Sequence, residues 1–359
     1  MNKINQKKSE SIENINSEIL KQSYIAIDTE FMRERTYFAK LCLVQIATPS
    51  SIFCIDAISD DNLKEFWNCI SNSSCIFHSA RQDLEVIFQN SDLLPNKIFD
   101  TQIAAGLVGF EPQISYANLV EKLCGKVLKK SQTRANWEKR PLSKEMISYA
   151  REDVEFLLEM HAILLEKLKK MGRISWAEED SNSLNNFNLY KFDSNEVINR
   201  IKSAKYLSGR TKKAIHLLLK WREKKAIEKN LPRQWILRDK TLVNIASTSI
   251  DLSGDFSNIK DISERFIKKN GDEVIKILEK SRISAEDYPP ENKMNEKQKK
   301  IMAEMQKFII KISKSLNIAP EIIATKKEIK LYLMEKNKSK LIKGWRKKLT
   351  EEKFLELTE

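Results

Sequence analysis

The run YIAIDTEF at 24–31, apolar and then tipped with two carboxylates, limits what this chain can become more than any other segment. Its aliphatic start reads as a strand. Side chains of a strand alternate between faces, so Asp28 and Glu30 project from the same one. Two like charges at the end of a buried strand repel each other and need a compensating cation. Residues 41–47, 52–55 and 74–77 are further short runs rich in β-branched or aromatic residues, and with 24–28 they predict four strands. The first three follow closely enough to form an antiparallel meander. Apolar residues at helical spacing then predict helices over 80–89, 101–108, 116–123 and 143–171. Strands followed by strand-helix alternation make a mixed α/β sheet flanked by helices.

Beyond this region the pattern is helical almost throughout. The Ser/Asn-rich stretch SNSLNNFN at 181–188 places a linker near 180–193. A lysine-rich helix is expected over 212–229, stopped by Asn230 and Pro232, and Asp239 is expected to cap a helix over 240–246. Pro289 and Pro290 mark a break at 287–291. At 359 residues the chain exceeds a single typical domain, and the expected division is 1–180, 195–283 and 292–359.

Charge follows the same division. Of 63 basic and 50 acidic residues, 23 of each lie in 1–175, which leaves 40 and 27 beyond it, so the whole net charge of +13 sits in the second half. A basic part beside a neutral one suits a protein that holds a polyanion with one half and acts on it with the other. No apolar run approaches a membrane span and the first 22 residues are polar, so no membrane association and a cytosolic location are expected. Five cysteines without a C-x-x-C pair argue against a disulfide framework or a zinc ribbon.

Two further acids fall on apolar helix faces. Asp83 shares a face with Val86 and Ile87, and Tyr149 and Asp153 stand four residues apart within the stripe made by Met146, Ala150 and Leu157. A carboxylate on a buried stripe needs a partner. Asp28, Glu30, Asp83 and Asp153 together could form an all-oxygen site for two divalent cations, Mg²⁺ or Mn²⁺, of the kind that serves phosphodiester hydrolysis.

The stretches DTEFMRERTYFAKLCLVQIA at 28–47, HSARQDLEVI at 78–87, WEKRPLS at 137–143 and YAREDVEFLL at 149–158 resemble ribonuclease D, a 3′→5′ exoribonuclease of the tyrosine-containing branch of the DEDD superfamily. HLLLKWREKKAIEKNLPRQWILRDKTLVNIA at 216–246 resembles the HRDC domain, and 317–329 with 341–349 resemble a second, divergent one. The resemblance implies an α/β ribonuclease H-like exonuclease domain followed by all-α HRDC-type domains. It implies that Asp28, Glu30, Asp83 and Asp153 hold two metals, with Asp28 bridging and Asp83 acting partly through water, and that Tyr149 and Glu30 position the attacking water. The implied substrate is RNA, tRNA precursors in particular; a monomer is expected. Where family members often show Ser-Asp-Trp, this chain has Ala135-Asn136-Trp137.

Lys212, Lys213, Lys220, Lys224, Lys225 and Arg233 are candidate phosphate contacts. Trp221, Trp235 and Trp345 are candidate base-stacking residues, though helical spacing among Leu and Ile favours a core role. His78 lies beside the second motif, while His161 and His216 are dispersed, so no histidine-based site is expected. The chain has neither a G-x-S-x-G elbow nor a P-loop, which disfavours an α/β-hydrolase or a helicase. Competing readings are a DNA 3′→5′ exonuclease built on the same acids and an inactive RNA-binding scaffold. Residues 1–193 alone are expected to keep slow cleavage of short strands.

Overall fold

The three leading strands form the expected meander, β1 (Ile25–Met32) antiparallel to β2 (Lys40–Ala47) and β2 antiparallel to β3 (Ile52–Asp56). On the other side of β1 run the parallel strands β4 (Ser74–Phe77) and β5 (Lys97–Asp100), giving the order β3-β2-β1-β4-β5. The computed structural model describes residues 11–59, 63–128, 135–204, 206–248, 256, 259, 261–282, 288 and 293–359. As the central strand, β1 is covered on both faces, which is why Ile25, Ala26 and Ile27 are apolar without alternation.

Helices flank both faces. α1 (Ile12–Ile19), α2 (Lys64–Ser71) and α3 (Arg81–Ser91) cover the face where Ile25 and Ile27 share a core with Ile46, Phe66, Ile70, Leu84 and Ile87. Over the other lie α4 (Thr101–Leu107), α5 (Tyr116–Cys124), α6 (Lys144–Glu155), α7 (Leu157–Lys170) and α8 (Ile174–Asn182). There Ala26, Ile76 and Phe99 share a core with Ala104, Leu119, Leu157, Met160 and Leu164.

The single helix expected over 143–171 is two. In an unbroken helix the Phe156 N–H would donate to the Glu152 carbonyl four residues back. Instead the Tyr116 hydroxyl enters the gap, donating to the Glu152 carbonyl at 2.7 Å and accepting from the Phe156 N–H at 3.3 Å. A side chain inserted into the hydrogen-bond ladder is an established cause of helix breaks. The linker expected over 180–193 is also more ordered than its composition suggests. α8 runs into it, and a 3₁₀ turn at Phe187–Tyr190 sets Phe187 and Tyr190 against Phe88 of α3.

The described residues of 1–32, 39–190 and 294–359 form one compact unit, and those of 33–38 and 191–293 a second. The second unit contains α9 (Ser194–Arg200), α10 (Gly209–Lys229), α11 (Arg233–Ile236), α12 (Asp239–Ser247) and α13 (Glu264–Arg282) around Ala214, Leu218, Leu242, Ile245, Val274 and Leu278. α10 stops, as expected, where Asn230 turns left-handed at φ 45°. Asp239 does not cap the next helix. Arg238 holds that position and Asp239 begins α12, because its carboxylate is taken at 2.6 Å by Arg222, a guanidinium only 2% exposed that cannot be left unpaired. The expected break at 287–291 lies, Tyr288 apart, outside the described residues.

The last helices, α14 (Glu296–Leu316), α15 (Pro320–Ile323), α16 (Lys326–Met334) and α17 (Gly344–Thr358), pack within the first unit. Trp345 stacks on Trp176 of α8 with ring centroids 4.4 Å apart, and Arg346 meets both oxygens of Asp180 at 2.5 and 2.9 Å. Arg173 donates to the carbonyls of Leu107 and Leu316, each at 2.7 Å. Glu179 accepts the Trp345 N–H at 3.1 Å, and at Gly344, with φ +59°, an added Cβ would collide with that carboxylate. No described helix is long and apolar enough to cross a membrane.

Candidate active site

Strand alternation dictates how β1 builds the site. Ile25, Ile27 and Thr29 face α3, whereas Ala26, Asp28 and Glu30 face the side of α6. On α6, Asp153 comes to meet them. One carboxylate oxygen from each of Asp28, Glu30 and Asp153 lies within 4.8 Å of the other two. Asp153 sits inside the turn that Tyr116 opens, so the helix break and the acid occupy the same place. β1 is bulged just after Glu30, which leaves the two acids in regular register and changes only the path that follows.

Asp83 approaches from α3 and is anchored rather than open. Its Oδ1 accepts the Thr29 N–H at 3.1 Å and the Thr29 hydroxyl at 2.6 Å. The strand that carries two of the acids thus fixes a third through the residue between them. A further acid, which sequence reasoning did not single out, supports this corner. Asp100 caps α4 by accepting from Gln102 and Ile103, and also accepts the N–H groups of Ser79 and Ala80 at 3.1 and 2.8 Å. It thereby holds the left-handed Ser79, at φ 62°, just ahead of α3. Its position directly before a helix that starts with Thr101 is a capping signal legible in the sequence.

The electrostatics of the cluster are those of crowded, buried acids. Burial, with the charges of Asp83, Asp153 and Glu30, pushes Asp28 well above the usual carboxylate range. Glu30 is pushed up to about 8 by burial and then by Asp153 and Asp83. Asp83 and Asp153 are raised too, mainly by burial, although Thr29 opposes the shift at Asp83 and the Tyr149 hydroxyl at Asp153. Among the described residues no Lys or Arg forms an ion pair with any of the four. The donor set is therefore all oxygen, buried at Asp83 and half-buried at the other three, and uncompensated, which fits hard divalent cations. Tyr149 is raised by burial and by the nearby carboxylates, so its phenol stays protonated and acts as a donor.

A dependence of stability on pH follows. A folded-state pKa above the unfolded value, here Glu30 at about 8 against ~4.3 unfolded, means that the native state binds a proton the unfolded chain has released. The stability this contributes is complete below the unfolded pKa and is lost as pH rises through the folded one. Melting followed in a chelator is expected to fall steadily between about pH 4 and pH 8. A flat or rising curve would contradict the clustering of the charges.

The remaining candidates divide clearly. His78 is committed to packing, with Nδ1 2.9 Å from the Thr101 hydroxyl and Nε2 3.0 Å from the Ile114 carbonyl. Trp221 and Trp345 are buried, whereas Trp235 is 60% exposed. Arg233 is bound to Glu223 at 2.6 and 2.7 Å and lies over the Tyr37 ring, and Lys225 pairs with Glu273 at 2.7 Å. A phosphate would have to displace those carboxylates. Lys220 and Lys224 are exposed on α10, Lys224 in a loose pair with Glu228 at 3.7 Å. Lys212 and Lys213 stand near the start of the same helix.

The chain matches the 3′-5′ exonuclease family over residues 4–169 and the HRDC domain over residues 212–278. A mixed sheet tipped with acids and joined to helical modules, with these two matches, defines a 3′-5′ exonuclease carrying an HRDC domain. Ribonuclease D of Bartonella henselae is 33% identical over 315 residues, covering 85% of this chain and 77% of its own. Ribonuclease D of Sphingobium indicum is 32% identical, covering 91% and 87%. The crystal structure of Escherichia coli RNase D, described as an exoribonuclease involved in structured RNA processing, superposes with a TM-score of 0.87 at 26% identity over 96% of both chains. The chain belongs to the ribonuclease D family and is a 3′-5′ exoribonuclease. DEDD exonucleases normally use divalent metal ions, and the acidic cluster is where this chain offers a site for them.

Proposed function

We propose that Asp28, Glu30 and Asp153, with Asp83 behind them, hold two divalent cations, Mg²⁺ or Mn²⁺, and that the site trims 3′ ends of RNA, tRNA precursors in particular. The observation that carries this is the convergence of carboxylate oxygens from three half-buried acids within 4.8 Å, with no cationic side chain paired to them among the described residues. When bound, such ions lower the pKa of a water and neutralise charge that builds on the phosphate. Asp83, one oxygen of which is occupied by Thr29, suits contact through water better than direct ligation. Tyr149 remains a proton donor beside Asp153 and, with Glu30, orients the water that attacks the terminal phosphodiester.

In this reading the protein is a cytosolic monomer in which the basic helices hold the RNA, and the segment 292–359, expected as a domain of its own, serves as part of the unit that carries the acids. Lys220 and Lys224, exposed on α10, are the phosphate contacts that fit best, and Lys212 and Lys213 near the start of that helix are candidates beside them. Lys225 and Arg233 hold the fold of their unit through Glu273 and Glu223. Matched RNA and DNA strands labelled at the 5′ end test the substrate class. RNA is expected to shorten one nucleotide at a time, to resist when its 3′ end carries a phosphate, and to persist in a chelator. A strong preference for DNA would overturn the RNA reading.

A further inference from the structure

The segment WEKRPLS at 137–143 contributes no acid to the site, yet it contains a side chain with every donor occupied. A guanidinium has five N–H donors in a fixed plane. In Arg140 the Nε donates to Asp56 Oδ2 at 2.6 Å, and Nη2 donates to Asp56 Oδ1 at 2.5 Å and to the Cys42 carbonyl at 2.9 Å. Nη1 donates to the carbonyls of Trp137 at 2.7 Å and Lys139 at 3.0 Å. One side chain therefore joins β2, the end of β3 and its own loop. Asp56, also held by the N–H groups of Ile58 and Ser59, is kept ionised by Arg140 down to about 2, so the pair persists at any working pH.

The clamp is aligned with the site. Glu30 pairs with Leu43 across β1 and β2, and Leu43 pairs with Asp56 across β2 and β3, so the three lie in one row of the sheet. The indole of Trp137, 2% exposed, fills the space over that row in a small core with Leu43 and Ala150, and its ring lies 6.1 Å from that of Tyr149. Holding the Trp137 carbonyl holds the backbone that carries the indole, its packing against Leu43 and Ala150 sets the ring, and the ring limits where that of Tyr149 can lie.

We infer that Arg140 is a positioning residue, which through Trp137 holds Tyr149 in the orientation that hydrolysis requires. This rests on the role proposed above for Tyr149. A lysine keeps the charge but cannot supply five donors in one plane, so it is not a conservative replacement here.

The test is a double-mutant cycle in the full-length protein, with kcat and KM measured on a short single-stranded RNA at saturating divalent metal. Arg140→Lys is expected to lower kcat about 10- to 100-fold with KM changed less than about twofold, the scale of a misplaced catalytic group. In a Tyr149→Phe background the same substitution is expected to cost nothing further, because the group it positions is gone. Asp56→Asn, which leaves the guanidinium in place but weakens its anchor, is expected to follow the same pattern and serves if Arg140→Lys does not fold. Equal fold-losses in both backgrounds, or a loss confined to KM, would overturn the inference. Wild-type kcat in Tyr149→Phe alone would instead remove the assigned role of Tyr149, and the inference with it.

Discussion

Asp28→Asn is expected to reduce RNA hydrolysis on the order of a thousandfold or more, the scale seen when preorganised charge stabilisation is removed from a reaction centre. The same substitution is expected to make the metal-free protein more stable at pH 8. Burial and then the charges of Asp83, Asp153 and Glu30 raise the pKa of Asp28, so the uncharged amide relieves desolvation and repulsion that no cationic side chain among the described residues offsets. The expected rise in melting temperature is a few degrees, on the order of 1–2 kcal/mol for one crowded charge. Divalent cation should stabilise the wild type markedly and the variant little. Opposite signs for activity and stability are what separate a functional cluster from a structural one. A variant that loses activity because it unfolds would place Asp28 in the fold rather than in the chemistry.

The second large effect concerns the last helices. Cutting the chain after residue 193 is expected to give a protein that does not fold cooperatively, contrary to the slow cleavage that the sequence leads one to expect of such a fragment. The truncation strips Trp176 of its stacked partner Trp345 and leaves Asp180 without Arg346. It also uncovers Gly106, against which Ile322 packs, and takes from Arg173 the Leu316 carbonyl. Each large apolar side chain returned to water costs about 1.5–3 kcal/mol against a total stability of about 5–15 kcal/mol, so a few such losses suffice. A milder probe is Arg346→Ala. Arg346 and Asp180 are 11% and 14% exposed, and loss of one partner from a buried pair costs about 3–5 kcal/mol, which lowers melting on the order of 10 °C. Sharp melting and cleavage by the 193-residue fragment would show that the C-terminal helices are an accessory.

How far the sequence carries is clear from particular residues. Asp28 and Glu30 could be placed on one face because strand alternation is strict, and Asp153 because four residues from Tyr149 is one helical turn. The meander of β1, β2 and β3 was legible for the same reason, since short β-branched runs with turn residues between them have few other arrangements. β5, KIFD, was not, being four residues with a charge at each end. The break at Phe156 was hidden because its cause, the Tyr116 hydroxyl, stands 40 residues away in the chain. Asp239 misled because capping propensity is local, and a buried Arg222 outbid it from another helix. Arg140 and Asp56, 84 residues apart, belong to the same class of contact. Local periodicity located the acids. The side chains that hold them depend on tertiary pairings that no local pattern encodes.

The most direct test of the central claim is product analysis of a 3′-extended tRNA incubated with Mg²⁺ and either the wild-type protein or Asp28→Asn. Release of 5′-mononucleotides from the 3′ end by the wild type, one at a time, with none from the folded variant, is the expected result. Internal fragments, or mononucleotides released at an undiminished rate by Asp28→Asn, would contradict an exonuclease site built on these acids.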